Sequence, residues 1–213
     1  MRSKPPIIFD LGGVVFQWKP LELFQQLFPD QIPNETAARD WAMRVFEGFH
    51  PNSDWAQFDK GLITPNELAQ RVAQRAGYAQ PDIQHLIDSV PAHLVPMSST
   101  LQLMQQLKEQ GHTLFYLSNM PAPYAEHLIR QHDFFAWFED GIFSAHVQQI
   151  KPQLDIFATA QQQFGLDRHE GRAVFIDDVQ HNIDAAQSHG WHGIRFETAE
   201  QVEQALRQHL HAL

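Results

Sequence analysis

From Pro96 onward, short apolar segments alternate with segments of helical periodicity. The apolar segments lie at 113–117, 141–144, 173–176 and 193–196. Helical spacing covers 98–110, 123–132, 152–164, 182–188 and 199–210. Strands this short and apolar are typical of a parallel sheet whose two faces are both covered by helices. The sequence therefore predicts an α/β fold built on a parallel sheet.

An earlier apolar strand starts at Ile7, and a long stretch without strand character follows it. Helical spacing in this stretch covers 20–28, 34–46, 65–76 and 81–90. The third of these helices has Thr64 as its predicted N-cap, with Glu67 completing a capping box. We therefore predict an all-helical insertion, with the following boundaries: insertion 17–94, α/β core 1–16 and 95–213.

The charge and composition exclude several classes of partner. The chain has 15 basic and 25 acidic residues, a formal net charge of −10, which repels nucleic-acid backbones. It has no cysteine, which excludes disulfides and thiolate metal sites and agrees with a reducing cytoplasm. We see no apolar signal region and no run long enough to cross a membrane. We expect a cytoplasmic monomer or homodimer with no nucleic-acid or membrane partner.

Asp10 is a lone carboxylate at the end of the first strand, directly before the turn at Gly12 and Gly13. In a parallel α/β sheet, ligands bind at the carboxyl ends of the strands. An Asp at this place can act as a nucleophile or as a metal ligand, and taken alone it can equally cap the turn. Its function therefore depends on what the other strand ends carry.

Three later segments place polar side chains near strand ends. Ser118 and Asn119 follow the second predicted core strand, where a hydroxyl and a backbone turn suit phosphate oxygens. Lys151 precedes a proline-initiated helix and can balance the charge of a carboxylate and a phosphoryl group. Asp177 and Asp178 end a buried strand, where adjacent carboxylates repel each other unless a cation lies between them. Carboxylate oxygens combined with substrate phosphate are typical of a Mg²⁺ site.

These four segments, in this order, resemble the motifs of the haloacid dehalogenase (HAD) superfamily. The matching stretches are Phe-Asp-Leu-Gly-Gly-Val at 9–14, Leu-Ser-Asn at 117–119, Lys-Pro at 151–152 and Phe-Ile-Asp-Asp at 175–178. The resemblance covers the whole chain, and the helical insertion resembles the cap of that superfamily. It implies a Rossmann-like core whose four strand ends meet at one pocket, and a phosphoric monoester hydrolase that works through an aspartyl-phosphate.

The resemblance also implies roles for the residues at the matching positions. Asp10 is the implied nucleophile. The implied cofactor is Mg²⁺, held by Asp10, the Gly12 backbone carbonyl and Asp178, with Asp177 acting through water. Asn182, one helical turn beyond the acidic pair, is expected to orient that pair.

The same resemblance implies how the substrate is held. Ser118 and Asn119 would bind the phosphoryl oxygens. Lys151 would stabilise the charge on the nucleophile and on the phosphate. The implied substrate is a small phosphorylated metabolite.

Position 12 departs from the superfamily pattern. HAD phosphatases usually carry a second Asp two residues after the nucleophile, where it protonates the leaving oxygen and later activates water, but this chain has Gly12. General acid–base catalysis contributes about 10²–10⁴-fold. Sugar-1-phosphates, acyl phosphates and aryl phosphates, which have better leaving groups, are therefore the favoured substrates. The segment 55–64 and the first and fourth motifs resemble a branch that includes glucose-1-phosphate phosphatases.

Gly12 leaves two other functions open. A haloacid dehalogenase shares the Asp nucleophile and tolerates Gly12, because halide leaves unprotonated, but it has no use for Mg²⁺ or for the acidic pair. A catalytically weak protein that binds a ligand or a partner through its cap is the other alternative. A phosphomutase is not expected, because it needs the missing acid–base group in each half reaction.

Substrate choice is expected to lie with cap residues that close over Asp10. Trp18 and His50, which lie nearest to turns, are the predicted pocket residues. Most of the remaining cap aromatics are expected to build the core of the cap itself. Tyr124, just beyond the second motif, is a further candidate for the pocket entrance.

Overall fold

The computed structural model describes residues 4–169 and 173–211. Its strands are β1 Ile7–Phe9, β2 Leu114–Ser118, β3 Asp140–Phe143, β4 Val174–Asp177 and β5 His192–Arg195. They form one parallel sheet in the order β3-β2-β1-β4-β5. Each of the four later strands is shifted by one residue from its predicted position, and the predicted α/β fold with a parallel sheet is confirmed.

The central strand β1 is buried on both faces of the sheet. Ile7 and Phe9 belong to one apolar cluster, whereas Ile8 belongs to a second cluster on the opposite face. This alternation follows from the two-residue period of a strand. Phe9 is in register with Tyr116 of β2 and with Ile176 of β4. The residues that follow these three strands are therefore brought to one edge of the sheet.

Helices cover both faces of the sheet and form the whole insertion. The insertion contains α1 Pro20–Leu27, α2 Glu35–Phe46, α3 Asp54–Asp59, α4 Pro65–Ala76 and α5 Gln80–His93. The rest of the described chain contains α6 Ser98–Glu109, α7 Ala122–Gln131, α8 Ser144–Val147, α9 Leu154–Gln163, α10 Gln180–Ser188 and α11 Ala199–His211. Helices α3 and α8 were not predicted, because fewer than two turns give no readable periodicity. The described residues include no helix long and apolar enough to span a bilayer.

The predicted capping box at the start of α4 is confirmed. The Thr64 hydroxyl accepts a hydrogen bond from the Glu67 N–H (3.2 Å), and the Glu67 carboxylate accepts one from the Thr64 N–H (2.8 Å). These two bonds satisfy backbone donors that a helix start leaves free.

The chain enters and leaves the helical segment at two adjacent points. Phe16 forms an antiparallel bridge with Pro96, and the Gln17 N–H donates to the Val95 carbonyl (2.9 Å). The Met97 N–H donates to the chain at Val15 (2.8 Å). This crossing lies at the predicted junctions 16/17 and 94/95. The division into core and cap at these junctions stays a prediction, and the crossing supports it.

A hydrogen bond between a tyrosine of α7 and a backbone carbonyl of α5 joins the two helices, and a proline inside α5 explains it. Pro91 lies inside α5 and has no N–H, so the carbonyl of Ile87, four residues earlier, has no helical donor. The Tyr124 hydroxyl donates to that carbonyl at 2.7 Å. Tyr124 is buried in this position, and its place at the pocket entrance stays a prediction.

Candidate active site

A backbone hydrogen bond to β4 positions Asp10 at the edge of the sheet. Its N–H donates to the Ile176 carbonyl (2.8 Å), which extends the pairing of β1 with β4 by one residue. Its Oδ1 accepts hydrogen bonds from the Leu11 N–H (2.7 Å) and forms an ion pair with Lys151 Nζ (2.9 Å). Oδ2 has no protein partner among the described residues. The second carboxylate oxygen is therefore free to act on a ligand.

The turn after Asp10 leaves one carbonyl free. The Leu11 carbonyl accepts three N–H groups, those of Val14, Val15 and Phe16, at 2.8–3.3 Å. In the part of the chain that the structure describes, no N–H of this turn donates to the Gly12 carbonyl. A Cβ at Gly12 would meet nothing within 4 Å, so the space two residues beyond Asp10 is open.

Lys151 is the cation of the site and is almost completely buried. Its Nζ lies 2.9 Å from Asp10 Oδ1 and 2.7 Å from Asp177 Oδ2. Its backbone is clamped by Asn119, whose Oδ1 accepts from the Lys151 N–H (2.9 Å) and whose Nδ2 donates to the Lys151 carbonyl (3.0 Å). Burial by itself would lower the pKa of Lys151, but Asp10 and Asp177 raise it above its ordinary value. The lysine therefore stays charged.

Asp177 is fully buried and uses both of its carboxylate oxygens within the protein. Oδ1 accepts from the Val179 N–H (2.8 Å), Oδ2 pairs with Lys151, and Asn182 Nδ2 lies 3.1 and 3.0 Å from the two oxygens. The prediction that Asn182 orients the acidic pair is confirmed for Asp177. Both carboxylate oxygens of Asp177 therefore already accept hydrogen bonds from protein donors.

Asp178 lies against the turn that follows the first strand. Gly13 has a φ of +78°, and a Cβ placed on it would lie 2.5 Å from Asp178 Oδ2. Only glycine allows the carboxylate to lie this close to the backbone in this conformation. Asp10, Asp177 and Asp178 each offer an oxygen, and these oxygens all lie within 4.8 Å of one another. The three carboxylates predicted from separate motifs therefore form one cluster.

The charges of this cluster are not balanced within the protein. Burial, opposed by Lys151 and reinforced by Asp177 and Asp178, raises the pKa of Asp10 to about 7. Burial and the neighbouring Asp177 also raise the pKa of Asp178. Lys151 is the one lysine or arginine that forms an ion pair with these acids in the described ranges. An additional divalent cation with hard oxygen ligands would lower this repulsion, so the donor set fits Mg²⁺.

The structure places the remaining predicted residues as follows. Ser118 ends β2 beside the nucleophile strand and is buried, and among the described residues its hydroxyl has no hydrogen-bond partner. Asn119 Oδ1 and one of the two N–H groups of its Nδ2 bind the backbone of Lys151, and the second N–H of Nδ2 takes no part in this clamp. Trp18 is half-buried against Phe46, with ring centroids 5.9 Å apart. His50 is exposed and accepts from the Asn52 N–H.

The cap aromatics mainly build the interior of the cap, as expected. Phe46, Trp55 and Phe58 are buried, and their rings pack edge-to-face in series, 4.6 and 6.0 Å apart. Phe49, by contrast, is 53% exposed while its ring stacks on Phe46. The assignment of Trp18 and His50 to a substrate pocket stays a prediction.

Two residues near the site were not assigned a role from the sequence. Ser144 begins α8, and its hydroxyl accepts from the Met120 N–H (2.8 Å) and donates to the Asp59 carbonyl (2.5 Å). Asp59 is the last residue of α3, and its carboxyl lies within range of the charges of Asp10 and Lys151. A signal for Asp59 did exist in the sequence, as an acid within the cap segment 55–64.

Known proteins share this fold and parts of this sequence. The chain is 27% identical over 190 residues to sesquiterpene phosphatase astK of Aspergillus oryzae. The matching region covers 88% of this chain and 87% of that protein. A HAD family enzyme of Bacteroides thetaiotaomicron, solved with magnesium and inorganic phosphate, has a TM-score of 0.67 at 22% identity over 92% of this chain and 96% of that one.

L-2-haloacid dehalogenase of Xanthobacter autotrophicus has a TM-score of 0.66 at 15% identity, covering 91% of this chain and 77% of that chain. At such identities the two solved structures establish the shared fold. The family model for haloacid dehalogenase-like hydrolases matches residues 7–190, a span that contains all four strand-end motifs and the helical insertion. The chain therefore belongs to the haloacid dehalogenase-like hydrolase family.

Proposed function

We propose that this hydrolase is a Mg²⁺-dependent phosphatase that acts on a small phosphomonoester with a good leaving group. The observation that carries the proposal is the cluster of Asp10, Asp177 and Asp178, which is paired with only one described cation, Lys151. A sesquiterpene phosphatase among the relatives, and a family member solved with magnesium and phosphate, support the same activity.

Asp10 would act as the nucleophile through Oδ2, the oxygen for which no partner exists among residues 4–169 and 173–211. The oxygen would attack phosphorus and form an aspartyl-phosphate, which water then hydrolyses. Lys151 Nζ already contacts the other oxygen of Asp10, so it would orient the carboxylate and offset the negative charge of the arriving phosphoryl group. Its own position is fixed by Asp177 and by the Asn119 clamp.

Mg²⁺ would be held by Asp10, Asp178 and the carbonyl of Gly12. Asp177 would contact the ion through a water molecule and would hold Lys151 in place. When bound, it would neutralise negative charge on the phosphoryl oxygens. Ser118, with its free hydroxyl at the end of β2, would donate to a phosphoryl oxygen. Asn119 would contribute its backbone N–H or the second N–H of its Nδ2, since the clamp on Lys151 uses only one of the two Nδ2 hydrogens.

The substrate class follows from Gly12. No side chain stands where the family usually has its second acid, so substrates with acidic leaving groups are favoured. Glucose-1-phosphate and aryl phosphates meet this requirement. A sesquiterpenyl phosphate does not meet it, because its leaving group is a simple alkoxide, and it is a separate candidate on the ground of the named relative alone.

The dehalogenase alternative accounts less well for the site. A dehalogenase needs the nucleophile and a cation for its anionic substrate, but it gains nothing from the additional carboxylate of Asp178, whose raised pKa reflects an unfavourable position. A pure binding role leaves the free Oδ2 of Asp10 and its contact with Lys151 without a use.

The test is Mg²⁺-dependent phosphate release with wild type and Asp10→Asn. The panel compares glucose-1-phosphate, 4-nitrophenyl phosphate and farnesyl phosphate with glucose-6-phosphate and serine phosphate. We expect release that requires both Mg²⁺ and Asp10 and that favours glucose-1-phosphate and 4-nitrophenyl phosphate, while farnesyl phosphate tests the substrate class of the named relative. Release of halide from 2-chloropropionate would instead establish the dehalogenase. Magnesium binding without turnover of any compound would favour the binding role.

A further inference from the structure

Asp59 is attached to the loops that surround the nucleophile. Its carbonyl accepts from the Ser144 hydroxyl at 2.5 Å, and that hydroxyl accepts from the Met120 N–H at 2.8 Å. Met120 lies two residues beyond Ser118, at the end of the strand next to the nucleophile strand. One hydroxyl thus joins the last residue of α3 to the edge of the sheet where the site lies.

The next turn of the chain is fixed against the same helix, α8. Gly61 has a φ of +69°, and a Cβ there would lie 3.1 Å from the carbonyl oxygen of Ala145. The backbone on both sides of Lys60 is therefore in contact with the start of α8. This leaves Asp59 little freedom to move away from the site without breaking these contacts.

The carboxyl of Asp59 is unused by the rest of the protein. Over the described ranges it makes no hydrogen bond and no ion pair, and its residue is only partly exposed. It nevertheless lies close enough to Lys151 and Asp10 for both charges to act on it. Burial, opposed by Lys151 and reinforced by Asp10, raises the pKa of this carboxyl to about 8. A carboxyl with these properties is protonated near neutral pH, and the contact of its backbone with Ser144 keeps it at the edge of the sheet where Asp10 lies.

We propose that Asp59 is the general acid–base of this enzyme and supplies from the cap the group that Gly12 lacks. This inference rests on the proposed phosphatase function, and it relaxes the preference for acidic leaving groups that Gly12 alone predicts, a preference that should return when Asp59 is replaced. It also assigns the open space beside Gly12, where a Cβ would meet nothing within 4 Å, to the leaving group or to the attacking water.

The proton transfers balance over the two steps. In the first step Asp10 Oδ2 forms a bond to phosphorus, the bond from phosphorus to the leaving oxygen breaks, and that oxygen takes the proton of Asp59. In the second step water attacks phosphorus, its proton passes to the Asp59 carboxylate, and the bond from phosphorus to Asp10 breaks. Alcohol and inorganic phosphate are released, and both side chains return to their starting states.

The test compares 4-nitrobenzyl phosphate with 4-nitrophenyl phosphate, which are similar in size but differ in the acidity of the leaving oxygen. Single-turnover quenching of wild type and Asp59→Asn follows alcohol release and phosphate release separately. We expect Asp59→Asn to slow 4-nitrobenzyl alcohol release by about 10²–10⁴-fold. Nitrophenol release should change far less, and aspartyl-phosphate should then accumulate because its hydrolysis has lost the base.

Gly12→Asp provides the decisive rescue. In the Asp59→Asn background it places a carboxyl in the open space two residues beyond Asp10, so it should restore alcohol release from 4-nitrobenzyl phosphate. A structural role for Asp59 would not be rescued in this way. Asp40→Asn, the same change at an exposed cap carboxylate that pairs with Arg44, is the matched control and should behave as wild type.

The outcomes separate the two proposals. Equal slowing of both alcohols by Asp59→Asn, or no slowing of either, would overturn the role of Asp59 while leaving Asp10 as the nucleophile. If wild type releases neither alcohol, or Asp10→Asn releases both at the wild-type rate, the phosphatase proposal fails and the role of Asp59 fails with it. Asp59→Ser repeats the measurement if Asp59→Asn does not fold.

Discussion

Gly13→Ala tests whether the position of Asp178 determines Mg²⁺ binding. A Cβ at position 13 would lie 2.5 Å from Asp178 Oδ2 and 2.6 Å from its Cγ. Ordinary contact begins near 3.4 Å, so the carboxylate has to retreat by about 0.9 Å. Metal–ligand distances vary by only about 0.2 Å, and Mg²⁺ demands near-ideal geometry. Asp178 would therefore be lost as a direct ligand.

The chain contains a closely matched control for the backbone effect. Gly77 has a φ of +77°, against +78° for Gly13, but a Cβ on Gly77 meets nothing within 4 Å. Alanine in this left-handed region costs about 1–2 kcal/mol at either position. For a chain of this size each kcal/mol lowers Tm by about 2–4 °C. The two variants should thus lose similar stability in the absence of metal.

The difference between them should appear only when Mg²⁺ is added. We expect Mg²⁺ affinity, measured by titration calorimetry, to fall at least about tenfold in Gly13→Ala, equivalent to about 1.4 kcal/mol, and to stay unchanged in Gly77→Ala. The increase in Tm on adding Mg²⁺ should shrink only in Gly13→Ala. A folded Gly13→Ala protein that binds Mg²⁺ as tightly as wild type would refute the assignment of Asp178 as a ligand.

Three further predictions concern stability. Tyr124→Phe leaves the Ile87 carbonyl unpaired and should lower the free energy of unfolding by about 1–3 kcal/mol in a urea titration, and an unchanged midpoint would contradict this. Asn182→Ala removes the amide that bonds both oxygens of buried Asp177 and should lower the free energy of unfolding by a similar amount. Chemical denaturation of wild type, Asn182→Ala and Asn182→Asp measures this loss. Without metal, stability should fall as pH rises from about 4 to 7, because native Asp10, with its raised pKa, keeps a proton that the unfolded chain has released. Urea titrations of wild type and Asp10→Asn in EDTA at pH 5 and 7.5 isolate this slope from the opposite one that histidines with lowered pKa contribute, and the same pH dependence in both proteins would contradict it.

The sheet and the four motifs were predictable because each depends on local sequence. Short apolar runs fixed the strands to within one residue, and the parallel register then brought Asp10, Ser118 and Asp177 to one edge. The acidic cluster follows from that register alone. The orienting role of Asn182 was predictable for the same reason, since a helical turn separates it from Asp177.

The contacts that depend on cap packing were not predictable in this way. Asp59 lies in a helix of six residues, and its approach to Asp10 arises from the packing of α3 on α8, which no sequence period encodes. The clamp between the Asn119 side chain and the backbone of Lys151 joins two motifs 32 residues apart, and no local pattern in the sequence predicts it. A single sequence does not show which of two polar partners a side chain will choose.

The bond between Tyr124 and Ile87 has a consequence for exchanging caps between relatives. Pro91 removes the helical donor of the Ile87 carbonyl, and the replacement donor belongs to the other part of the chain. In a chimera that joins this cap to a core with phenylalanine at position 124, the Ile87 carbonyl would be buried without a hydrogen-bond donor. Pro91 and Tyr124 should therefore be transferred together. A chimera that keeps both residues, or that replaces Pro91 with alanine, should be more stable than one that keeps Pro91 without Tyr124.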